Sequence, residues 1–250
     1  MSKKRKLLIL SLSILLILGI LITGCAVYLS IYYKADTKAV EACLSGEFVS
    51  VKETDGYTSF TPEGQTNVGF IFYPGGKVEH KAYYPLMHTL AEYGIFSAVV
   101  KVPFRLAVFD VNAADDVKDD HPEIRNWFIG GHSLGGAMAA TYLSKNETDF
   151  NGLVLLGAYS TKDLSKTDIA VLSIYGSEDG IMNSEKYEDC LSNLPLDFTE
   201  LVIEGGCHSY FGSYGEQNGD GIPAITNEEQ IYITASEIHT FIGSHLSVEK

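Results

Sequence analysis

Two hydrophobic rhythms alternate along this chain. Compact apolar runs at 68–73, 95–102, 127–130, 152–158, 169–176 and 198–205 predict strands buried on both faces. Between them lie segments whose apolar positions recur every three or four residues, predicting helices over 35–44, 80–93, 136–145, 184–194 and 227–245. The second of these places Leu86, Leu90 and Tyr93 on one side, and Gly94 stops it. Residues 48–53 and 56–60 alternate as a strand and its hairpin partner, and 61–67 carries turn chemistry. The stretch 104–117 is expected to be helical in part, and 115–122 reads as a polar surface turn. Strands alternating with helices imply an α/β fold, a mostly parallel sheet with helices on both faces. No internal repeat or linker divides 35–250, so one domain is expected there, which suits a single core of this size.

The first 34 residues follow another pattern. Lys3, Lys4, Arg5 and Lys6 precede an uncharged stretch from Leu7 to Tyr33 dominated by Leu and Ile. A bilayer takes about 20 apolar residues, so this stretch is long enough to span one. The basic start predicts a cytoplasmic N-terminus and an extracytoplasmic domain, with Tyr28, Tyr32 and Tyr33 in an interfacial aromatic belt. A cleaved signal peptide is the rival reading. The segment Ile22-Thr23-Gly24-Cys25 resembles a lipobox, in which Cys25 would carry lipid. The apolar run continues past Cys25, which favours an uncleaved single-pass anchor.

Setting that segment aside sharpens the charge balance. Residues 35–250 hold 13 basic against 32 acidic residues, a formal charge of −19. Such acidity argues against nucleic acid or anionic lipid surfaces as partners. Besides Cys25 the chain has only Cys43, Cys190 and Cys207, with no metal-ligand spacing among them. A disulfide within these three stays open on spacing alone. Neither a metal nor a cofactor is implied, and oligomeric state is not legible.

The candidate chemistry starts at Gly131-His132-Ser133-Leu134-Gly135, a G-x-S-x-G corner between the strand at 127–130 and the helix at 136–145. A sharp strand-to-helix turn holds its central residue on strained backbone, with small residues two before and two after preventing a clash. Ser133 would then stand clear of the sheet. The amide of Leu134, at the positive end of the helix, would face developing negative charge. A serine hydroxyl needs a base, and a histidine base needs a carboxylate to fix its tautomer. Downstream, Asp179 follows the strand at 169–176, and His208 follows the strand at 198–205 in a glycine-rich loop. Glu178 and Asp163 are alternative acids; His80, His88, His239 and His245 lie in or near helices and are poorer bases. A second oxyanion donor is expected from the loop after 68–73, as the amide of Gly76 or Lys77. All these candidates follow apolar strands, where parallel sheets place their reacting groups.

With these segments in view, the chain resembles an α/β-hydrolase family. The likeness rests on residues 72–79 (Phe-Tyr-Pro-Gly-Gly-Lys-Val-Glu), 100–104, 130–140, 175–180 and 205–221, and it covers the chain from Ala35 onward. The group resembled is bacterial, often membrane-anchored, has a YPGGKV-type oxyanion loop and is distantly similar to dienelactone hydrolase. The resemblance implies Ser133 as nucleophile, Asp179 as acid and His208 as base. Dienelactone hydrolases use a cysteine nucleophile; Ser133 departs from that, so their substrate is not carried over.

The expectation is therefore a membrane-tethered serine hydrolase acting on a small-molecule ester through an acyl-enzyme. An acyltransferase on the same triad and a non-catalytic surface module are the alternatives. Residues 210–221, with their aromatics and glycines, are expected either to wall the pocket or to be structural. Lys101 and Arg105 are expected to be solvated or ion-paired, the alternative being contact with an anionic substrate group. The absence of a long insertion before Ser184 favours small or exposed substrates.

Overall fold

The computed structural model describes residues 2–44 and 48–246, and the chain divides into two units, Met1–Tyr32 and Tyr33–Lys250. Of the domain expected over 35–250, residues 45–47 and 247–250 lie outside the described residues. The first unit is the helix α1 (Lys3–Ser30), with Ser2 as N-cap accepting from the Arg5 amide. Leu7, Leu10, Leu15, Ile20 and Ile22 are among its exposed large apolar side chains. Such a helix has no polar face to turn to water. It is long and apolar enough to cross a membrane, and a signal sequence would satisfy the same test.

The second unit is built on one eight-stranded sheet. Its strands are β1 (Val49–Glu53), β2 (Tyr57–Pro62), β3 (Val68–Tyr73), β4 (Phe96–Val100), β5 (Asn126–His132), β6 (Gly152–Leu156), β7 (Ala170–Gly176) and β8 (Phe198–Ile203). Their spatial order is β1-β2-β4-β3-β5-β6-β7-β8. β1 and β2 pair antiparallel, as do β2 and β4, and the other neighbours run parallel. The helices are α2 (Thr37–Leu44), α3 (Tyr84–Glu92), α4 (Ala114–Asp120), α5 (Leu134–Leu143), α6 (Ser184–Cys190) and α7 (Asn227–Ser244).

Alternation along β3 shows why the sheet is covered on both sides. Phe70 and Phe72 pack into a core with residues of α3 and α7, while Ile71 and Tyr73 join a second core with α4 and α5. All four side chains are fully buried. At about 25 cal/mol per Å² of apolar surface, these two layers are the main source of stability. Helix α7 is closed at its start by a capping box, Thr226 accepting from the Glu229 amide and Glu229 reaching back to the Thr226 amide.

Two local expectations need correction. Residues 115–122 are not a surface turn: most of them belong to α4, whose Val117 is fully buried. The acidic run hid a helix because Asp115 and Asp116 occupy its first turn, where the helix dipole favours them. The segment 80–93 is not one helix either. It opens as a 3₁₀ turn over His80–Tyr83 before α3 begins, with Pro85 at the start of α3.

Register then fixes where the chemistry sits. Tyr73 lies beside Gly131, His132 beside Leu156, and Gly176 beside Ile203. The carboxyl ends of β3, β5, β6, β7 and β8 thus share one edge, and the loops leaving them meet there.

Candidate active site

At the end of β5 the backbone turns sharply. Ser133 has φ 53° and ψ −122°, a left-handed conformation that costs a non-glycine residue free energy. The turn is possible because its neighbours lack β-carbons. One at Gly135 would stand 2.3 Å from the Tyr73 carbonyl oxygen, and one at Gly131 would stand 2.5 Å from the Gly135 carbonyl carbon. The Ser133 amide donates to the Leu156 carbonyl at 2.9 Å, pinning the corner to β6. The residue is half-buried rather than sunk in the core. The amide of Leu134, first in α5, has no acceptor among the described residues.

Across the rim, His208 Nδ1 lies 2.8 Å from Asp179 Oδ2, and each side chain is 2% exposed. The other oxygen, Asp179 Oδ1, accepts from the amides of Ile181 at 2.9 Å and Met182 at 2.8 Å. Its carboxylate is therefore oriented before it meets the imidazole. Gly157, the residue after β6, has φ 51°, and a β-carbon there would come within 2.9 Å of His208 Nδ1 and 3.0 Å of Asp179 Oδ2. The same strand end thus holds the Ser133 amide on one side and presses against the His208–Asp179 pair on the other. The His208 ring also lies 4.4 Å, centroid to centroid, from the ring of His132, next to Ser133 in sequence. Ser133 Oγ itself makes no hydrogen bond among the described residues; such contacts often tighten only when substrate binds.

The alternative residues go elsewhere. Glu178 is exposed and accepts from Ser177, and exposed Asp163 accepts from Ser165. His239 packs against Tyr93, and His245 pairs with Asp197 at 3.3 Å. His88 lies 3.8 Å from Glu92. Lys101 is ion-paired with Glu53 at 2.9 Å. Within 210–221, residues 211–214 are buried, whereas Gly215, Glu216, Asn218 and Gly219 are exposed. All four cysteines are free, and burial pushes the Cys43 thiol up to about 11 and raises that of Cys207. Among the described residues, no cluster of three or more His, Cys, Asp or Glu is placed to hold a metal.

Three supports escaped the sequence. The Asp220 carboxylate accepts from the amides of His208 (3.1 Å), Ser209 (2.7 Å) and Gly180 (3.2 Å), tying the two loops together. Burial alone would raise its pKa, but the amides of Ser209, Gly180 and His208 hold it below the ordinary carboxylate value. Fully buried Gln230 of α7 clamps Cys207, accepting from its amide at 3.0 Å and donating to its carbonyl at 2.8 Å. Tyr83, also fully buried, accepts from the Gly75 amide. A polar side chain on the core-facing side of α7 was the one sequence signal available for Gln230.

The loop after β3 narrows the remaining candidates. The Lys77 amide donates to the Arg105 carbonyl at 2.8 Å, whereas the Gly76 amide has no acceptor among the described residues. Gly76 also lies against the Leu134 side chain: a β-carbon there would be 3.0 Å from its Cδ2.

A family model described as the alpha/beta hydrolase family matches residues 69–232, about two thirds of the chain, which includes the elbow and both loops. This chain belongs to the α/β hydrolase family. Solved structures agree on the fold of this α/β hydrolase. A membrane phospholipase A, a bacterial virulence factor, is 14% identical, with a TM-score of 0.59 over 96% of this chain and 98% of its own. A soluble variant of the Saccharomyces cerevisiae monoglyceride lipase is 12% identical, with a TM-score of 0.58 over 82% of this chain and 98% of its own. Carboxyl esterase 2 of Tuber melanosporum is 14% identical, with a TM-score of 0.60 over 84% of this chain and 91% of its own. No curated protein matches this α/β hydrolase in sequence.

A cleft of about 920 Å³ lies between α2, α3 and α7 and is lined by none of Ser133, Asp179 and His208. A smaller one of about 230 Å³, lined by Pro74, Val78, His80, Lys101, Val102, Phe104 and Arg105, adjoins the Gly76 loop.

Proposed function

We propose that this α/β hydrolase is a serine esterase that works through Ser133, His208 and Asp179. His208 accepts the Ser133 proton as the oxygen attacks the ester carbonyl, and Asp179 holds the ring in the tautomer that leaves Nε2 as the base. The amides of Leu134 and Gly76 receive the oxyanion. The protonated imidazole then releases the alcohol, and water activated by His208 frees the acid. The observation that carries this reading is the 2.8 Å His208–Asp179 contact, buried beside the strained Ser133 corner.

The rim bears on the substrate. Leu106 approaches Gly76, and the same loop exposes Phe104, Val108 and Phe109, with the two phenyl rings 5.6 Å apart. This apolar shelf suits the hydrocarbon part of an ester, and the open site suits one that needs no lid. Helix α1, in this reading, is a single-pass anchor that keeps the domain at the outer face of a membrane, as the four basic residues at its start would orient it.

Labelling with a fluorophosphonate, followed by p-nitrophenyl esters of increasing acyl length, tests the proposal. The native chain is expected to label and to turn over short and medium esters. In Ser133→Ala both should be lost, with turnover down at least about 10⁴-fold. A native chain that neither labels nor hydrolyses any of the esters would defeat this reading.

A further inference from the structure

A buried polar path connects the Gly76 loop to the elbow. The Gly75 amide donates to Tyr83 Oη at 3.0 Å, and Tyr83 Oη lies 2.8 Å from His132 Nδ1. Tyr83 and His132 are 0% and 1% exposed, so neither has water as a substitute partner. The phenol oxygen accepts from Gly75, and the direction of its bond with His132 Nδ1 follows the His132 tautomer. His132 Nε2 is buried with no hydrogen-bond partner among the described residues, so Tyr83 is the one side-chain partner of this ring. Burial, and then the neighbouring His208 imidazole, hold His132 well below its ordinary pKa, against a smaller opposing effect of the His208 backbone oxygen. Burial raises the Tyr83 phenol, which keeps it protonated.

The geometry on the loop side gives this path a purpose. The peptide joining Gly75 to Gly76 has its carbonyl bonded by the Val78 amide at 3.2 Å. In a trans peptide the Gly76 N–H then points the opposite way. Two adjacent glycines let such a plane flip readily, because neither carries a β-carbon to oppose it. The Gly75 amide, in the preceding peptide plane and anchored to Tyr83, and the Gly75 carbonyl, anchored to Val78, fix the two planes that meet at the Gly75 α-carbon, and with them the direction of the Gly76 N–H. The Tyr83 anchor itself rests on His132, covalently next to Ser133.

We propose that Tyr83 and His132 are positioning residues that hold the Gly76 amide in register with Ser133, so that the oxyanion donor and the nucleophile share one buried anchor. The inference rests on the reading of Ser133 as nucleophile and Gly76 as donor. It predicts that breaking the path harms the transition state more than substrate binding.

The test uses the full chain with p-nitrophenyl acetate and an alkyl boronic acid as a tetrahedral mimic. Labelling of the native chain by fluorophosphonate is read first; its failure sinks the serine-esterase reading rather than this one. In Tyr83→Phe, kcat is expected to fall about 10- to 100-fold with KM within about threefold, and the boronic acid to bind more weakly by a similar factor. His132→Leu should behave alike, while His132→Asn, which returns a hydrogen-bonding group near the Nδ1 position, should recover about tenfold in kcat over His132→Leu. Melting temperatures of each variant separate loss of fold from loss of register. If Tyr83→Phe does not fold, the Asn and Leu pair decides. A Tyr83→Phe kcat within about threefold of native, a loss confined to KM, or equal kcat for the two His132 variants overturns the proposal.

Discussion

The two sides of the candidate site share one means of support and differ in a second. On the nucleophile side, the position of Ser133 is imposed by backbone: a left-handed corner, glycines where neighbouring carbonyls come within 2.3–2.5 Å of a missing β-carbon, and the Leu156 carbonyl. On the base side the same exclusion operates, a β-carbon at Gly176 standing 2.2 Å from the Gly206 carbonyl and one at Gly221 2.0 Å from the Glu178 carbonyl oxygen, and carboxylate and amide side chains from Asp220 and Gln230 add bracing. Steric exclusion is unforgiving but local. Hydrogen-bonded bracing is graded and spans long sequence separations. Substitutions at the excluding glycines should therefore fail abruptly, and loss of a brace should act gradually.

The sharpest way to break that contrast is Gly135→Ala. Its methyl group would meet the Tyr73 and Pro74 carbonyl oxygens at 2.3 and 2.4 Å, and backbone cannot swing aside as a flexible side chain can. The expected cost exceeds about 3 kcal/mol, in the range of severe overpacking. Urea denaturation, or loss of soluble protein on expression, would report it. A variant with native stability and native turnover would show that the elbow is looser than its contacts imply.

Asp220→Ala should do less. It removes the acceptor for four amides of the base side, those of His208, Ser209, Gly180 and Gly221, in a half-exposed place where water can replace part of what is lost. The expected cost is about 2 kcal/mol. Turnover should fall roughly tenfold as the His208 loop loses its fixed position. The decisive comparison is with Gly135→Ala: a folded, slower enzyme here against a failed fold there. If Asp220→Ala turns over at the native rate, the bracing serves stability alone.

This difference also explains how much was readable from sequence. Excluding a β-carbon leaves glycines at fixed offsets, so Gly131, Ser133 and Gly135 were recognisable in one short window. The parallel sheet was legible because strands buried on both faces, such as 68–73, must be apolar throughout. Asp179 and His208 could be named as candidates because both follow apolar strands, though nothing in sequence shows that they touch. Asp220 and Gln230 act across 12 and 23 residues onto His208 and Cys207, through contacts that exist only once the chain has folded. Tyr83 was hidden similarly: in sequence it reads as one more apolar position of a helix, and its hydroxyl finds a role only where β3 and β5 adjoin. The likeness to a YPGGKV-type group rests on sequence alone, whereas the narrowing from two candidate amides to Gly76 needed the Lys77–Arg105 bond.

Acid offers the finest comparison of the two sides, because their titrating groups lose stability in different windows. His80, lining the cleft beside the Gly76 loop, is lowered to about 4 by burial and then by Lys101, with Glu53 opposing and Lys81 and Arg105 adding to the effect. His132 is lowered too. Between about pH 6.5 and 4 the unfolded chain takes up protons at these two histidines while the folded chain does not, so stability falls with falling pH. Each group contributes a slope of at most about 1.4 kcal/mol per pH unit. Asp220 behaves otherwise. Its folded pKa lies below the ordinary value, so its contribution is present above about pH 4 and is lost only as pH drops through that lower pKa. Mild acid should therefore loosen the nucleophile side while the base side keeps its brace. Urea midpoints measured from pH 7.5 to 4.5 should show a shallower pH slope for His80→Leu than for the native chain, and an unchanged slope for Asp220→Ala. Parallel native and His80→Leu curves would mean that His80 gains its proton in the fold as readily as in the open chain, and the contrast between the two sides would then rest on bracing alone.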